Sequence, residues 1–422
     1  MVEKTEQKSG FSKYMGLTFL IGFGFFTMGL MDPLYDTYIP IFLRRYVDSN
    51  FLVGGIMTLD NILQLLLIPL IAVWSDRTRT KIGRRMPFII VMLPIAAVLF
   101  SLFPKMATLW SLVILIFLFN MFKTSVRGPV VALMPDTVPA DYRSEANGVI
   151  NMMGGIGLIV GTLVLAPLGG ENRQQIPFFA ASICIVTAVL ILFVFVKEKI
   201  PENPEASAEK KIPVFASVKQ VFSGKDRSAV RILISLFFWF MAYEGAKPFL
   251  GLYMVESLGV AQNNAALAQG IAGVSSVIVA VFTGYFAHKM GRRNYIRLCL
   301  LALAAIMLLI FGSGFLAQNL GFSSMGGLVL FLALMFIYGA FWIGIVVNSF
   351  PMLWQMTSYE TVGVYTGLYY LFSQSAAILA PPITGGIIDL AGYPGIFIFG
   401  ALCMIIAWFV MRGVSSGEAV SK

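Results

Sequence analysis

The chain has 422 residues, of which 58% are hydrophobic and only 12% are charged. Soluble domains carry about 25% charged residues, so this composition excludes a soluble globular protein. The formal net charge of +9 would indicate a nucleic-acid partner in a soluble protein, but the membrane topology described below accounts for it, and we expect no nucleic-acid partner. Three cysteines (Cys184, Cys299 and Cys403) lie singly in apolar runs and predict neither a disulfide framework nor a metal site.

Twelve apolar runs follow one another along the chain, each long enough to cross a hydrocarbon core of about 30 Å. The predicted spans are residues 17–43, 51–73, 87–104, 108–134, 145–168, 176–196, 230–254, 263–287, 294–316, 325–350, 361–388 and 394–412. We expect an N-terminal tail (1–16), a six-helix bundle (17–196), a polar linker (197–229), a second six-helix bundle (230–412) and a C-terminal tail (413–422). No cleavable signal pattern follows the polar N-terminal residues.

The orientation follows from the loop between the second and third spans. The stretch from Asp76 to Phe88 holds five Lys and Arg residues against one Asp. So short a basic loop stays on the cytoplasmic side of a membrane. With both termini inside, only four of the 30 Lys and Arg residues lie in outer loops. The sequence therefore predicts an integral multi-pass protein of the plasma (cytoplasmic) membrane. Both terminal tails and the linker are expected in the cytoplasm.

Several residues recur between the two halves of the chain, although the spacing is not uniform, because the stretch from Asp76 to Gly83 is longer than a compact motif. Tyrosine, acid and proline recur between the segments Tyr35–Pro40 in span 1 and Tyr243–Pro248 in span 7, and Gly-Arg-Arg recurs between Gly83–Arg85 and Gly291–Arg293. Such a parallel repeat relates two bundles about an axis along the membrane normal. It places a substrate site near the midplane, where the bundles meet.

Twelve spans in two halves, with Asp76-Arg77 and Gly83-Arg84-Arg85 after span 2 and Gly-Arg-Arg again after span 8, resemble the major facilitator superfamily. The segment from Ser75 to Ile89 and the residues from Arg127 to Gly148 are similar more narrowly to the sucrose/disaccharide–proton symporter branch. The glycoside–cation (melibiose-type) symporters are close relatives of that branch. The resemblance implies an all-α membrane protein with twelve transmembrane helices in two six-helix bundles, the major facilitator fold. It implies a transporter and not an enzyme.

Charged residues inside the first six spans form a candidate coupling network, because a charge in mid-bilayer costs roughly several kcal/mol. At about 1.5 Å per residue, Asp32, Asp60 and Lys123 fall within about 6 Å of one depth. Asp36 follows Asp32 by four residues and Arg127 follows Lys123 by four, so each pair shares a helix face. We expect the acids of spans 1 and 2 to face the bases of span 4. The alternative is a permanent ion-pair network that only holds the bundle together.

The coupling ion follows from the same residues. A movement that separates a carboxylate from its base changes its proton affinity, as a proton-coupled cycle requires. Melibiose-type relatives offer two acids four residues apart on span 2, whereas Asp60 is followed by Gln64 in this chain. The loss of one acid weakens sodium binding, so we expect a proton rather than Na⁺, and no cofactor.

Sugar binding needs amide and hydroxyl groups beside aromatic rings. An acid and a base three residues apart on span 7 stand next to a tyrosine, and further amides and aromatics lie on other spans. The candidate substrate-binding residues are Gln64, Asn120, Tyr243, Glu244, Lys247, Trp342, Asn348, Tyr369 and Gln374. The alternative for the aromatic residues is packing or contact with lipid.

Charges around the loops after spans 2 and 4 form a candidate cytoplasmic gate. Its members are Asp76, Arg77, Arg84, Arg85, Asp136 and Arg143. The alternative is that they are ordinary loop charges.

Together these features predict a monomeric secondary active transporter that carries a sugar or glycoside (disaccharide-like) with a proton by alternating access. The alternative is a proton-driven antiporter that exports a small amphiphilic compound, which the 22 Met and 36 Phe residues keep open. A channel-like or signalling protein without coupled transport would need no midplane acids in both halves.

Overall fold

The computed structural model describes residues 2–170, 173–198, 227–320, 324–356 and 362–417, and within them the secondary structure is helical throughout, with no strand. The helices of eight or more residues, labelled α1 to α13, are Val2–Leu43, Asn50–Met57, Leu59–Arg77, Met86–Leu102, Leu109–Thr137, Arg143–Ile159, Gln175–Phe195, Ser228–Ala246, Leu267–Met290, Arg292–Leu320, Ser324–Trp354, Val362–Ala391 and Gly395–Arg412. Shorter helical turns are Phe103–Lys105, Ala140–Tyr142, Val160–Leu165, Ala166–Leu168, Lys247–Phe249, Leu250–Leu252, Tyr253–Ser257 and Gln262–Asn264.

Twelve helical segments in the described part of the chain are long and apolar enough to cross a membrane, which confirms the predicted number of spans. Helices α2 and α3 together form span 2, and each other long helix belongs to one span. The first helix begins at Val2, inside the predicted N-terminal tail, and the part of it that is long and apolar enough to cross a membrane begins at Gly10. Most of the predicted linker, residues 199–226, lies outside the described residues.

Short polar side chains set several helix ends. Thr108 and Ser111 form a capping box at the start of α5, and Ser49 caps α2. Span 2 is interrupted at Thr58, whose hydroxyl donates to the carbonyl oxygens of Gly54 (3.1 Å) and Ile378 (3.0 Å). The interruption separates a short α2 from the longer α3.

The chain divides into two compact units. The first comprises Met1–Tyr46, Leu59–Ala206 and Ala261–Gly270. Its core is an aromatic cluster on spans 1, 3, 4 and 6, in which neighbouring ring centroids lie 4.9 to 6.4 Å apart. The rings are those of Tyr35, Phe100, Phe103, Phe119 and Phe178, all essentially inaccessible to solvent. This apolar cluster contacts the basic side chain of Lys123 on span 4.

The second unit comprises Val47–Thr58, Ser207–Val260 and Ile271–Lys422. Each unit thus includes one short segment that lies, in sequence, among the spans of the other unit. This segment is 261–270 in the first unit and 47–58 in the second. The predicted bundles, 17–196 and 230–412, stay a prediction from the sequence repeat.

Residues 413–417, here called the C-terminal strap, pack against the second unit. The Ser415 backbone N–H donates to the Ser228 hydroxyl at 3.1 Å, and Val414 is buried. Arg293 donates to the carbonyl oxygens of Val414 (3.3 Å) and Ser415 (3.2 Å), and Arg231 donates to that of Gly413. The strap therefore joins the beginnings of spans 7 and 9 to the end of span 12.

Candidate functional site

An ion pair joins spans 1 and 4 in the first unit. The Lys123 ammonium lies 2.8 Å from Asp32 Oδ1, and the lysine side chain is 8% exposed against 33% for the aspartate. The ammonium also lies 5.1 Å from the Tyr35 ring centroid and 5.7 Å from that of Phe119, within the range of cation–π attraction. The aromatic core thus holds the base in place, while its acid partner is open on one side.

A second acid and base lie on either side of an amide. Gln64 Nε2 lies 3.5 Å from Asp60 Oδ2, and Arg127 Nη1 lies 3.4 Å from Gln64 Oε1. Both distances are long for hydrogen bonds, so the contacts are weak. Asp60 is buried, whereas Arg127 is exposed. The structure brings these three predicted residues together, and the Gln64 amide contacts both the carboxylate of span 2 and the guanidinium of span 4.

The hydroxyl of the buried Tyr35 on span 1 is bound by an amide of span 4, and the next residue of span 1, Asp36, is also buried. That hydroxyl accepts a hydrogen bond of 2.8 Å from Asn120 Nδ2. Asn120 is fully buried and also donates to the carbonyl of its own helix, so it belongs to the core of the unit rather than to an open surface.

In the second unit, the candidate site of span 7 is built on stacked rings. Tyr243 and Trp342 stack face to face with centroids 4.0 Å apart and planes 5° from parallel. One residue further along the helix, Glu244 Oε2 lies 3.8 Å from Lys247 Nζ. The side chains of Glu244 and Lys247 are 20% and 28% exposed, so the pair is open to small molecules.

Aromatic contacts extend this cluster to span 11. The Phe240 ring meets Trp342 edge-on at 5.8 Å and Tyr369 at 6.3 Å, and Phe350 stacks on Tyr369 at 3.7 Å. The Tyr369 hydroxyl is 3.1 Å from that of Ser349. Three predicted residues (Tyr243, Trp342 and Tyr369) therefore belong to one aromatic cluster, and Glu244 follows Tyr243 on the same helix.

Two further candidates have different surroundings. The Asn348 amide is buried and donates to Gly344 O of its own helix at 2.8 Å. In contrast, Gln374 Oε1 and the indole N–H of Trp239 are buried and find no hydrogen-bond partner among the described residues. Buried polar groups normally have a partner, so these two atoms are available to a ligand or to water.

The loop between spans 2 and 3 is held by a carboxylate that accepts hydrogen bonds from two arginines. Asp136 accepts hydrogen bonds from Arg84 Nη2 (2.5 Å) and Nε (3.0 Å) and from Arg85 Nε (3.0 Å). Arg85 also donates to Asp76 and to the Ser75 hydroxyl. The hydrogen bond to Asp136 raises the pKa of the Arg84 guanidinium, so this arginine stays charged. Four of the predicted gate residues thus form one network between the ends of spans 2 and 4 and the start of span 3.

The other two predicted gate residues do not join this network. Arg77 is exposed, and no ion pair involving it is found among the described residues. Arg143 donates to the carbonyl oxygens of Pro135 (2.9 Å) and Val138 (3.4 Å), at the end of the span 4 helix. Its role in the structure is therefore to cap span 4 rather than to pair with a carboxylate.

The sequence matches the Major Facilitator Superfamily over residues 17–380. The chain belongs to this superfamily. It is 29% identical over 246 residues to the general alpha-glucoside permease of Schizosaccharomyces pombe, a match that covers 52% of this chain and 42% of the permease. It is also 29% identical over 181 residues to the sucrose transport protein SUC3 of Arabidopsis thaliana, covering 38% of this chain and 30% of that protein. The chain thus matches less than half the length of either relative.

A crystal structure of the nucleoside transporter NupG superposes with a TM-score of 0.70 at 15% identity, covering 94% of this chain and 98% of that one. At this identity the likeness shows the fold alone. The predicted superfamily and fold are confirmed, and these similar proteins are transporters rather than enzymes, as the sequence predicts. As a superfamily member with twelve apolar helices, the chain is an integral multi-pass membrane protein.

Sequence reasoning missed one residue that contacts the predicted gate. The carboxylate of Glu198, two residues beyond the last span of the first half, accepts hydrogen bonds from the backbone N–H groups of Arg85 (2.8 Å) and Met86 (3.2 Å). It sits at the N-terminus of α4, where the helix dipole favours an anion. The only signal was an acid at the end of span 6 in a stretch interpreted as a polar linker.

The two Gly-Arg-Arg segments share a backbone conformation that the repeat predicts only indirectly. Gly83 has φ +113° and Gly291 has φ +83°, both in the region that glycine adopts without a steric penalty. At Gly83 a side chain would also collide with Glu198, since a Cβ there would lie 2.1 Å from its Oε2. Both glycines let the chain reverse between two spans.

Proposed function

We propose that this protein is a secondary active transporter that carries a sugar or glycoside together with a proton by alternating access. We place it in the plasma (cytoplasmic) membrane as a monomer with both termini in the cytoplasm. The observation that carries the proposal is the ion pair of Asp32 with Lys123, in the same unit as the Asp60, Gln64 and Arg127 contacts.

The charge balance in the middle of the first six spans supports a coupled cation. Three carboxylates (Asp32, Asp36 and Asp60) accompany two bases (Lys123 and Arg127). Burying an unbalanced charge costs several times more than burying a balanced pair. One acid more than the number of bases therefore favours a site that takes up one positive charge when it closes.

One contact of Asp60 bears on the identity of the cation. The residue four positions further along span 2 is the neutral Gln64, which contacts Asp60 through an amide nitrogen and does not supply a second carboxylate. Na⁺ prefers a set of several oxygen ligands, whereas a proton needs only one carboxylate oxygen. The observed contact thus supports a proton as the coupling ion.

The second unit supports a sugar-like substrate. The Tyr243 and Trp342 stack gives an apolar ring surface, and Glu244 and Lys247 beside it offer an acceptor and a donor. Sugars bind in this way, with their C–H faces on aromatic rings and their hydroxyls on charged or amide groups. Similarity to an alpha-glucoside permease and a sucrose transport protein points to the same class.

The test is uptake of a panel of labelled sugars and glycosides into proteoliposomes, with an imposed pH gradient or an imposed Na⁺ gradient. We expect at least one glycoside to accumulate when the outside is acidic, to lose that accumulation with a protonophore, and to show no response to Na⁺. Lys123→Gln, which removes the partner of Asp32, is expected to abolish accumulation.

A matched control is Lys105→Gln, which removes a lysine of the predicted outer loop far from the charge network in sequence and is expected to leave uptake unchanged. Extrusion of amphiphilic compounds with no sugar uptake would favour the antiport alternative. Accumulation driven only by Na⁺ would refute proton coupling.

A further inference from the structure

Asp389, near the end of span 11, binds the N-terminus of α2 with four hydrogen bonds. Its carboxylate accepts from the backbone N–H groups of Asn50 (2.8 Å) and Phe51 (3.0 Å), from Asn50 Nδ2 (2.8 Å) and from the Ser49 hydroxyl (2.8 Å). The Tyr393 hydroxyl adds a contact of 3.3 Å to Asn50 Oδ1. The first N–H groups of a helix have no partner within the helix, and its dipole favours an anion there.

Below this contact, α2 lies directly against the backbone of span 11. A Cβ on Gly54 would lie 2.2 Å from Pro381 O, and a Cβ on Gly385 would lie 2.1 Å from Asn50 O. Thr58 closes the far end through its hydrogen bond to Ile378 O. We call this contact, between residues 49–58 and residues 378–393, the α2 seam.

The seam joins parts of the chain that the sequence assigns to different halves. Helix α2 belongs to the second unit, whereas α3, which follows it directly across Thr58, belongs to the first. The first unit holds a corresponding segment, 261–270, in which Asn263 Nδ2 donates to Pro167 O and Gln262 accepts from Gln174. The Tyr38 hydroxyl also donates to Asn263 O, so the hydrogen bonds found for that segment among the described residues join neutral groups, whereas the α2 seam is closed by a carboxylate.

We propose that Asp389 is the latch that holds the α2 seam closed and that the seam opens and closes during the transport cycle. The inference rests on the proposed alternating-access function, because α2 has to move away from span 11 only if the transporter changes conformation. In the proposed orientation the seam lies on the extracytoplasmic side, opposite the loop from Asp76 to Phe88.

The chemistry fits a contact that can be released. The Asp389 side chain is exposed, so water replaces its hydrogen bonds when α2 moves away. The N–H groups of Asn50 and Phe51 lie at a helix end, where water can also reach them. The glycine contacts require no side chain to rearrange, so the seam re-forms by simple approach of two backbones.

The test is the alkylation rate of a cysteine within the seam, measured on the purified full chain in detergent. Val53 lies on the seam face of α2 and is 0% exposed, so Val53→Cys reacts with a maleimide only when the seam opens. The three native cysteines are replaced first. We expect Asp389→Ala to raise the alkylation rate about tenfold, which corresponds to about 1.4 kcal/mol. Asp389→Asn, which keeps an oxygen acceptor but loses the charge, gives a smaller increase and serves if the alanine variant does not fold.

Two neighbouring glycines supply a matched pair. Gly54→Ala forces a methyl group against Pro381 and should raise the rate with Asp389 intact, whereas a Cβ on Gly55 meets nothing within 4 Å, so Gly55→Ala should leave it unchanged. If the alkylation rate of Val53→Cys is unchanged in both Asp389 variants, Asp389 is not a latch. If the rate is unchanged in Gly54→Ala as well, the seam does not open. The assay uses neither sugar nor ion gradient, so failure of sugar–proton symport does not affect its outcome.

Discussion

Replacing Asp136, at the end of span 4, by asparagine should destabilise the protein. This carboxylate receives three hydrogen bonds from Arg84 and Arg85. The side chains of these arginines are 18% and 7% exposed, and that of Asp136 is 11% exposed. The substitution leaves two largely buried cations without the anion that they share.

The expected magnitude follows from the contacts that remain. Removing one partner of a buried ion pair costs about 3–5 kcal/mol. Asparagine keeps one oxygen acceptor, Arg85 keeps Asp76, and Arg84 keeps Glu198 at 3.9 Å. These remaining partners reduce the cost, so we expect a loss of about 2 kcal/mol, since each charged hydrogen bond that is kept contributes about 1.5–3 kcal/mol.

The assay is thermal unfolding of the purified protein in detergent, with Asp141→Asn as the matched control. Asp141 is an exposed acid in the adjoining turn after span 4. We expect Asp136→Asn to lower the melting temperature by a few degrees and Asp141→Asn to leave it unchanged. Equal melting temperatures for the two variants would refute the idea that the Asp136 network stabilises this fold.

Three further predictions concern other parts of the molecule. Asp60→Asn should abolish accumulation but leave substrate counterflow, whereas Glu244→Gln should weaken binding by about 1.5–3 kcal/mol; equal loss of binding in both variants would contradict this division of roles. Gly291→Ala should lower stability by about 1–2 kcal/mol because Gly291 has φ +83°, whereas Gly284→Ala, where a Cβ meets nothing within 4 Å, should not; melting curves of the pair decide it. A cysteine at position 205 should react with an impermeant reagent only in opened cells, and labelling of intact cells would reverse the proposed orientation.

The similar depth of Asp32 and Lys123 in their spans could be predicted from helix geometry, and the structure shows an ion pair between them. A fixed rise per residue gives the depth of each charge, and the spacing of four residues gives the shared face. The same reasoning gives the number of spans, since each needs only an apolar run of sufficient length. These features depend on local sequence, and the structure places them as expected.

The loop contacts were harder to predict because they depend on how distant segments fold back. Asp76 pairs with Arg85 rather than with the adjacent Arg77, since the chain reverses at Gly83. Glu198 reaches the start of α4 from 113 residues away, and no periodic pattern marks it. Asp389 lies in the same category, because a carboxylate near the end of a span resembles an ordinary loop charge until its partners are seen.

The C-terminal strap has a practical consequence for handling the protein. Its carbonyl groups accept hydrogen bonds from Arg231 and Arg293, so a truncation at Arg412 would remove these acceptors and expose the buried face beneath Val414. A purification tag or a fluorescent fusion is therefore best joined after residue 417. A protease site placed before that residue would cut a part of the folded unit rather than a free end.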